Sequence, residues 1–435
     1  MNDLQKEFLE TANYLGAIIC RDALWADERC SWLGPSMEYT GNAWTAVQKA
    51  YGPDLYSGTS GIAVFLGHLY SATNERIYRL VAEGAIKHCL SRLDDLQPTV
   101  RSAFYSGWTG AAYALCNLAP ILDRPDYIVE ALRLTEGIAG EDPNQQGLDV
   151  ISGSAGAIPA LLNMRRHLNK DSLLDLAIKH GDHLLATARK SEMGWSWDTM
   201  NAPRDLTGFS HGTAGIAWAC LELFSETRER RFREAAEQAF QYERYWFNSE
   251  QENWPDFRTF GSTTPAGEAS LNYSLAWCHG APGIGLSRLR AYELSGDELY
   301  RTEAESALRT TSKMLSSSAY TEQNNLSLCH GLTGNADLLI YASEIARDND
   351  SLNLVQQIGE QGIARYRKNN LPWPCGVPGA GEAPNLMLGL AGIGYFYLRL
   401  CDPKKHRSLL IVFPEGGGRK RNEQAGAKRR TKPLT

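Results

Sequence analysis

The strongest chemical signal in this 435-residue sequence is a pair of Cys-His-Gly triplets that begin at Cys278 and Cys329. Zinc prefers thiolate and imidazole ligands, and a catalytic zinc site keeps one of its four positions open. Cys278, Cys329 and His330 together supply three ligands. His279 has the same place in its triplet as His330, and only one of the two is needed. The sequence therefore predicts a site for one Zn²⁺, where His279 is a ligand, supports the ligands or contacts the substrate.

A third histidine, His211, also precedes a glycine, but it follows Ser210 instead of a cysteine. A histidine that titrates near neutral pH is the usual general acid or base. His211 is therefore a candidate for proton transfer near the metal, and the alternative is a histidine that only hydrogen-bonds within its loop. Asp54 and Asp149 each lie four residues before such a glycine, and each is suited equally to capping a turn and to chemistry.

All of these residues belong to one repeated pattern, Gly-x-x-Gly followed by a strongly apolar stretch. Seven copies begin near residues 56, 105, 151, 210, 278, 329 and 387. The stretch after each copy is apolar nearly all round, which predicts a buried helix. The stretch before it is longer, charged and amphipathic, which predicts a helix that covers a surface. Each repeat is therefore a pair of helices.

The simplest arrangement of seven such pairs is a ring of inner helices inside a ring of outer helices. Each Gly-rich loop then leads into an inner helix, and the loops surround one end of a central cavity. Glycine in these loops is expected to permit positive φ and close packing of the backbone. A linear solenoid would need polar capping repeats, and the sequence has none. The predicted fold class is all-α, an α/α toroid of seven helix-pair repeats.

Composition and charge limit the binding partners and the cellular compartment that fit this protein. The formal net charge is −6, which does not suggest nucleic-acid binding. The first twenty residues lack the cationic start of a secretory signal, and no run of 18 apolar residues predicts a membrane span. The nine cysteines are an odd number in a large chain without a signal, which is typical of reduced thiols. These features predict a cytoplasmic protein.

The end of the chain differs from the remainder. Residues 415–435 carry seven basic and two acidic side chains and almost no apolar ones. Such a composition predicts a disordered segment, and its alternative role is contact with an anionic lipid or an acidic leader peptide. We therefore expect a catalytic domain at 1–412 and a basic tail at 413–435.

The chain resembles the lanthionine synthetase C-like proteins, the cyclases of lanthipeptide biosynthesis. The matching motifs are LDVISGSAG at 148–156, GFSHGTAGIAWA at 208–219, AWCHGAPGIGL at 276–286, LCHGLTGNADLL at 328–339 and MLGLAGIGYFYLRL at 387–400. The resemblance covers about residues 40–412. NWPDFR at 253–258 and PCGVPGAGEAPNLMLGLAGIGYFYLRL at 374–400 look like the carboxy-terminal cyclase module of the fused class II synthetases, in which a dehydratase module comes first.

This resemblance implies a double α-barrel with zinc at the top of its cavity, held by Cys278, Cys329 and His330. It also implies that His211 and Asp149 are the acid/base residues, which favours the second of the two carboxylates. The implied reaction adds a peptide cysteine thiol to dehydroalanine or dehydrobutyrine and forms a thioether ring. The implied partners are a dehydrated precursor peptide and a dehydratase, as a separate protein or as a module.

The resemblance leaves two residues with open roles. Free-standing class I cyclases often have tyrosine after the first zinc cysteine, where this chain has His279. Arg258, in NWPDFR, either meets an acidic group of the peptide or the developing enolate, or forms a salt bridge.

Two other classes of function compete with this interpretation. A glycoside hydrolase on a similar toroid needs two carboxylates; the loops offer only Asp54 and Asp149, and the Cys/His cluster would be unused. A non-catalytic zinc-bearing scaffold would bind glutathione or a partner protein, as eukaryotic relatives have been thought to do. The presence of His211 in register with the metal set argues against such a scaffold.

Overall fold

The computed structural model describes residues 1–39, 44–258, 271–317, 324–346 and 348–414. Within those ranges the structure has fourteen α-helices and six short strands. Seven helices, which we call motif helices, begin directly after the first glycine of a repeat: α2 (Thr59–Thr73), α4 (Trp108–Leu122), α6 (Ser154–Leu168), α8 (Thr213–Thr227), α10 (Ala281–Ser295), α12 (Leu332–Ala346) and α14 (Leu390–Cys401). The basic tail at 415–435 lies outside the described residues.

The other seven helices, which we call covering helices, are amphipathic: α1 (Asp3–Arg21), α3 (Arg76–Arg92), α5 (Asp126–Gly140), α7 (Ser172–Thr187), α9 (Arg230–Trp246), α11 (Glu298–Ser317) and α13 (Asn349–Gly362). Helices α2, α4, α6, α8 and α10 each pack against the covering helix that follows them. The apolar face of a covering helix is buried in this way, and its charged face is left to solvent.

The covering partner of α14 is α1, the first helix of the chain. Gln5 Nε2 donates to the carbonyl oxygen of Cys401 at 3.1 Å, and the rings of Phe8 and Tyr397 lie 6.0 Å apart. The start of the chain therefore completes the seventh repeat. The sequence pattern did not predict this role, because α1 is not preceded by a Gly-x-x-Gly loop.

The six strands form three antiparallel hairpins: β1 (Leu24–Ala26) with β2 (Arg29–Ser31), β3 (Leu33–Tyr39) with β4 (Trp44–Ala50), and β5 (Arg189–Ser191) with β6 (Gly194–Ser196). They are short additions to a helical fold. None of the described helices combines the length and the apolar character needed to cross a membrane.

The chain forms two compact units. Among the described residues, unit 1 is drawn from Met1–Glu141, residues 324–337 and Val355–Leu410, and unit 2 from Asp142–Ser317, Leu338–Leu354 and residues 411–414. We number the Gly-rich loops 1 to 7 in chain order, so loops 6, 7, 1 and 2 belong to unit 1 and loops 3, 4 and 5 to unit 2. The predicted domain limits, 1–412 and 413–435, stay a prediction.

Backbone hydrogen bonds join neighbouring loops of unit 1. The N–H of Cys329 donates to the carbonyl of Met387 at 3.0 Å, and Met387 donates to Tyr56 at 2.9 Å. Tyr56 in turn donates to Tyr105 at 2.9 Å. All four residues stand two positions before the first glycine of their loops, so the repeat register is also a spatial register. Loop 7 lies beside loop 1, which places the last repeat next to the first.

Unit 2 has the same arrangement. The N–H of Val150 in loop 3 donates to the carbonyl of Ser210 in loop 4 at 2.9 Å. The N–H of Ser210 donates to the carbonyl of Cys278 in loop 5 at 3.1 Å. These bonds bring the loops that carry Asp149, His211 and Cys278 into contact in chain order.

The expectation about glycine conformation was mostly wrong. At Gly58, Gly107, Gly153, Gly212 and Gly389 the φ angles lie between −149° and −102°, which other residues also adopt. The expected close packing is present instead. A Cβ on the second glycine of loop 5, Gly283, would lie 1.9 Å from the carbonyl oxygen of Trp277, and loop 6 shows the same approach at Gly334. Glycine is needed because the first helical turn packs directly on its own loop.

Candidate active site and metal ligands

His211 and Asp149 form a hydrogen-bonded pair between loops 4 and 3. Nδ1 of His211 lies 2.5 Å from Oδ2 of Asp149. An ionised carboxylate accepts hydrogen bonds, so Nδ1 carries the proton and donates it. In the neutral ring the other nitrogen, Nε2, then holds the lone pair. The side chain of His211 is 18% exposed, so the imidazole is only partly buried.

The same contact sets the ionisation of His211. Burial alone lowers the pKa of this imidazole, but the charge of Asp149 and its hydrogen bond act in the opposite direction and outweigh burial. The net result is a pKa raised above the usual value for histidine. The imidazolium is therefore more accessible near neutral pH than it would be without the carboxylate.

Asp149 has a second contact that belongs to the loop itself. Its Oδ1 accepts the backbone N–H three residues later at 2.6 Å. Asp54 in loop 1 does the same at 2.7 Å, and Asn385 in loop 7 at 2.8 Å. Because an asparagine serves equally well, capping this turn needs an oxygen acceptor but no charge. Asp149 therefore caps its turn and also binds His211, whereas the hydrogen bonds of Asp54 described in the structure are with Ser57.

The contact of Asp149 with His211 can be tested without a substrate. We expect Asp149→Asn to keep the turn, because the amide oxygen still accepts the backbone N–H, and to lower the pKa of His211, because the charge and hydrogen bond that most strongly oppose burial are then lost. The measurement is an NMR titration of the imidazole, assigned with a His211 variant. Asp54→Asn is the matched control and should leave the titration unchanged. A pKa of His211 that is the same in Asp149→Asn and the wild type would contradict the assignment.

His279 in loop 5 lies beside His211. The two rings are nearly parallel, with centroids 5.9 Å apart, and His279 is 1% exposed. Burial, followed by the charge of Arg258, lowers the pKa of His279, so its ring is neutral at physiological pH. The charge of Asp256 and a contact with the backbone of Thr207 act in the opposite direction but do not outweigh burial. The choice between ligand, support and substrate contact therefore stays a prediction.

Arg258 forms a bidentate salt bridge with Asp256. Its Nε donates to Oδ1 at 2.9 Å and its Nη2 to Oδ2 at 2.7 Å. Ser274 Oγ also donates to Oδ2, at 2.8 Å, and Oδ1 lies 3.8 Å from Nδ1 of His279. Of the two roles considered for Arg258, the structure shows the salt bridge, and a contact with substrate stays a prediction. Asp256 was overlooked in the sequence, although it stands in the same NWPDFR motif.

Loops 4 and 5 approach each other more closely than a side chain would allow. Gly208 has φ +105°, and a Cβ there would lie 3.0 Å from Nδ1 of His279 and 3.1 Å from the carbonyl oxygen of Cys278. Gly280 has φ +91°, and its Cβ would lie 1.8 Å from the carbonyl oxygen of Ser274. These two positions do require the left-handed conformation that glycine adopts without strain.

The predicted zinc ligands are divided between the two units. Cys278, in unit 2, and Cys329, in unit 1, are 6% and 5% exposed, and neither forms a disulfide bond. Nε2 of His330 lies 2.9 Å from the carbonyl oxygen of Gly376. Because a carbonyl only accepts, Nε2 carries the proton and Nδ1 holds the lone pair. A carbonyl that fixes the tautomer in this way is typical of a metal-binding histidine.

The chemistry of this donor set fits zinc, which takes thiolate sulfur and neutral imidazole nitrogen. Among the residues that the structure describes, however, no group of three or more His, Cys, Asp or Glu side chains is arranged to hold a metal ion. The zinc site therefore stays a prediction.

Comparison with known proteins supports the family resemblance that the repeated loop motifs indicated. The family model described as lanthionine synthetase C-like protein matches residues 49–413. The chain belongs to this family. The family resemblance inferred from the loop motifs is therefore confirmed.

Two curated relatives of this lanthionine synthetase C-like protein come from Lactococcus lactis subsp. lactis. The lacticin 481/lactococcin biosynthesis protein LcnDR2 is 24% identical over 380 residues, which are 83% of this chain and 37% of that protein. The nisin biosynthesis protein NisC is 24% identical over 307 residues, or 64% of this chain and 71% of NisC. The chain thus spans little more than a third of the length of LcnDR2.

Solved structures agree on the fold of this family member. Nisin cyclase matches with a TM-score of 0.62 and 17% sequence identity over 85% of this chain and 92% of that chain. The predicted fold class, all-α and of the α/α toroid type, is confirmed by this likeness. A GH76 α-mannanase from Bacteroides thetaiotaomicron matches with a TM-score of 0.50 and 13% identity over 93% of this chain and 97% of that chain. At that identity the second likeness concerns the fold alone.

Proposed function

We propose that this protein forms thioether rings in a dehydrated lanthipeptide precursor. The observation that carries the proposal is the 2.5 Å pair of His211 and Asp149, which sits on a loop bonded to that of Cys278 in a member of the lanthionine synthetase C-like family. Such a pair is suited to moving protons, and ring formation needs one proton to be removed and one to be delivered.

The reaction is an addition in which nothing leaves. A cysteine sulfur of the peptide loses its proton and bonds to the β-carbon of dehydroalanine or dehydrobutyrine. The electron pair of the carbon–carbon double bond becomes an enolate with the adjacent carbonyl. A proton then binds the α-carbon, which gives lanthionine or methyllanthionine. The product has the mass of the substrate and one free thiol fewer.

His211 serves this reaction through Nε2. In the neutral form this nitrogen accepts a proton from the substrate thiol, and in the protonated form it delivers one to the enolate. Asp149 holds Nδ1–H, so it fixes the tautomer and stabilises the imidazolium while the proton resides on the ring. His279, stacked beside His211, limits the movement of the ring and borders the same space.

Cys278, Cys329 and His330 are the residues that we propose to hold one Zn²⁺. Both thiols are buried, and the hydrogen bond of His330 Nε2 to Gly376 leaves the lone pair of the neutral ring on Nδ1 for binding. When bound, zinc lowers the pKa of a coordinated substrate thiol and so supplies a thiolate at neutral pH. Their burial shields the two protein thiols from reagents in solution.

The substrate determines the partners. A peptide that contains dehydroalanine or dehydrobutyrine must come from a dehydratase, so we propose that the protein acts after one, either a separate protein or a module of the same polypeptide. None of the nine cysteines forms a disulfide bond, which suits the reducing cytoplasm that we propose as its location.

The proposal is tested with the purified chain and a peptide that contains one cysteine and one dehydroalanine. After incubation the peptide is treated with a thiol-alkylating reagent and analysed by mass spectrometry. Ring formation appears as an unchanged peptide mass that no longer gains the alkyl group, at a rate above that of the uncatalysed reaction. A chain that binds zinc and peptide but leaves the alkylated fraction at the uncatalysed level would replace the proposal with the scaffold alternative.

A further inference from the structure

Loop 4, which carries His211, lacks the internal cap found in other loops. In loops 1, 3 and 7 the fourth residue before the first glycine of the repeat is Asp54, Asp149 or Asn385, and its side chain binds the backbone of the turn. The corresponding residue of loop 4 is Gly208, which has no side chain and a φ of +105°. Loop 4 therefore has no cap of its own at this position and depends on contacts with groups outside the loop.

One of these groups is the side chain of Glu243, on the covering helix α9. A single oxygen, Oε1, accepts three hydrogen bonds: from the N–H of Gly208 at 3.1 Å, from Thr213 Oγ1 at 2.5 Å and from the N–H of Ala214 at 2.9 Å. These donors lie on both sides of His211. One carboxylate oxygen thus joins the start of the loop to the first turn of α8 and encloses the segment that presents the histidine.

Glu243 is an unusual residue for a purely structural position. It is 0% exposed, and burial of a carboxylate is costly unless the group is well bonded. Its other oxygen, Oε2, has no hydrogen-bond partner among the described residues. Burial raises its pKa to about 7, against the charge of Arg288 on α10, which lowers it. All the hydrogen bonds of this carboxylate therefore go to loop 4 and the start of α8.

We propose that Glu243 is a positioning residue for His211: it holds loop 4 where Nδ1 of His211 meets Asp149. Glu243 does not touch the reacting groups and acts only through the loop. The catalytic part of this inference rests on the proposed thioether-forming function, whereas its structural part, the His211–Asp149 hydrogen bond, does not.

The test compares Glu243→Gln with Glu243→Met. Glutamine retains an oxygen at Oε1 and should keep the three hydrogen bonds, whereas methionine fills similar space without an acceptor. The first measurement is the NMR signal of the Nδ1 proton of His211, which a short bond to a carboxylate moves far downfield. We expect the signal in the wild type and in Glu243→Gln, and its loss in Glu243→Met, as in Asp149→Asn.

The second measurement is ring formation. Displacement of a catalytic group by about 1 Å typically costs about 100-fold in rate, so we expect Glu243→Met to lower kcat by about 10- to 100-fold with KM little changed. Glu243→Gln should retain most of kcat, which a requirement for charge would not allow.

A matched pair of hydroxyl variants separates positioning from general stability. Thr213→Val removes one bond to Glu243, and Thr109→Val removes the bond of an equally buried threonine in the first turn of α4 to the carbonyl of Ser102, at 2.7 Å. Both should lower the melting temperature by similar amounts, but only Thr213→Val should weaken the His211 signal and lower kcat. If Glu243→Met does not fold, the two threonine variants still test whether Glu243 positions His211.

The result that would overturn the proposal is a His211 signal that persists in Glu243→Met, or an equal loss of signal in Thr213→Val and Thr109→Val. If the signal changes as expected but the wild type forms no rings, Glu243 positions His211 and the proposed function is wrong. The two failures are therefore distinguishable.

Discussion

Replacement of His211 with asparagine is expected to lower kcat for ring formation by about 10²- to 10⁴-fold, the usual contribution of a general acid or base. The asparagine amide still has an N–H to donate toward Asp149, so a hydrogen bond between loops 3 and 4 can still form. It has no group that titrates near neutral pH and therefore cannot exchange the proton. KM should change little, because binding of the peptide does not depend on this transfer. The measurement is steady-state kinetics by thiol alkylation and mass spectrometry.

The control for this prediction is His180→Asn. His180 lies in the same unit, is 0% exposed and hydrogen-bonds to Ser154 at 2.9 Å, but it stands on the covering helix α7. Its replacement should cost stability and leave kcat nearly unchanged well below the melting temperature. A His211→Asn protein with wild-type kcat would show that His211 only supports its loop.

The second large effect concerns the metal. We expect about one zinc per chain in the purified wild type, and its loss in both Cys278→Ala and Cys329→Ala, because a site with three protein ligands does not hold the ion well with two. Ring formation should fall by at least about 10²-fold in each variant, since both the thiolate fraction and the placement of the substrate sulfur are lost. Elemental analysis and the alkylation assay on the same samples provide the measurement.

Cys116→Ala and Cys220→Ala are the matched controls, because both cysteines are buried and free but lie within the motif helices α4 and α8. These variants should keep the metal. Removal of zinc with a chelator should abolish activity in the wild type, and added Zn²⁺ should restore it. A wild type without zinc, or zinc unaffected by either loop substitution, would exclude the proposed ligand set.

The metal and proton-transfer predictions are separable by experiment. His211→Asn should keep zinc, because the imidazole is not among the proposed ligands, whereas the cysteine variants should keep the His211–Asp149 hydrogen bond within unit 2. If His211→Asn also loses zinc, the histidine belongs to the metal site, and its assignment as acid and base must be revised.

Much of this protein was evident in its sequence, because its main features repeat at local spacings. Gly-x-x-Gly followed by an apolar stretch predicted the start of each motif helix. The common register then singled out His211, Cys278 and His330 as departures from the pattern. A property that depends on a few neighbouring residues, such as helix periodicity or a tight loop, is encoded locally and can be read without the remainder of the chain.

Other features depended on contacts between distant segments. Asp54 and Asp149 were equivalent in the sequence pattern, and only the bonds between loops 3 and 4 distinguish the one that meets His211. Helix α1, at the start of the chain, covers α14, the last described helix. No local pattern in the sequence marks this contact. Glycine was expected to permit both positive φ and close packing in these loops; the structure shows that close packing is the reason for most of these glycines.

The sequence by itself determined the helical repeat, the family and a short set of candidate residues, because these follow from local periodicity and motif chemistry. The tertiary structure decided which residues contact each other. It pairs Asp149 with His211 and Arg258 with Asp256, and it shows that Glu243 hydrogen-bonds to loop 4. Glu243 is one of many charged residues on amphipathic helices, and nothing in its neighbourhood along the chain marks it as buried. Burial and pairing arise only when separate segments fold against each other, which is why these roles emerged from the structure.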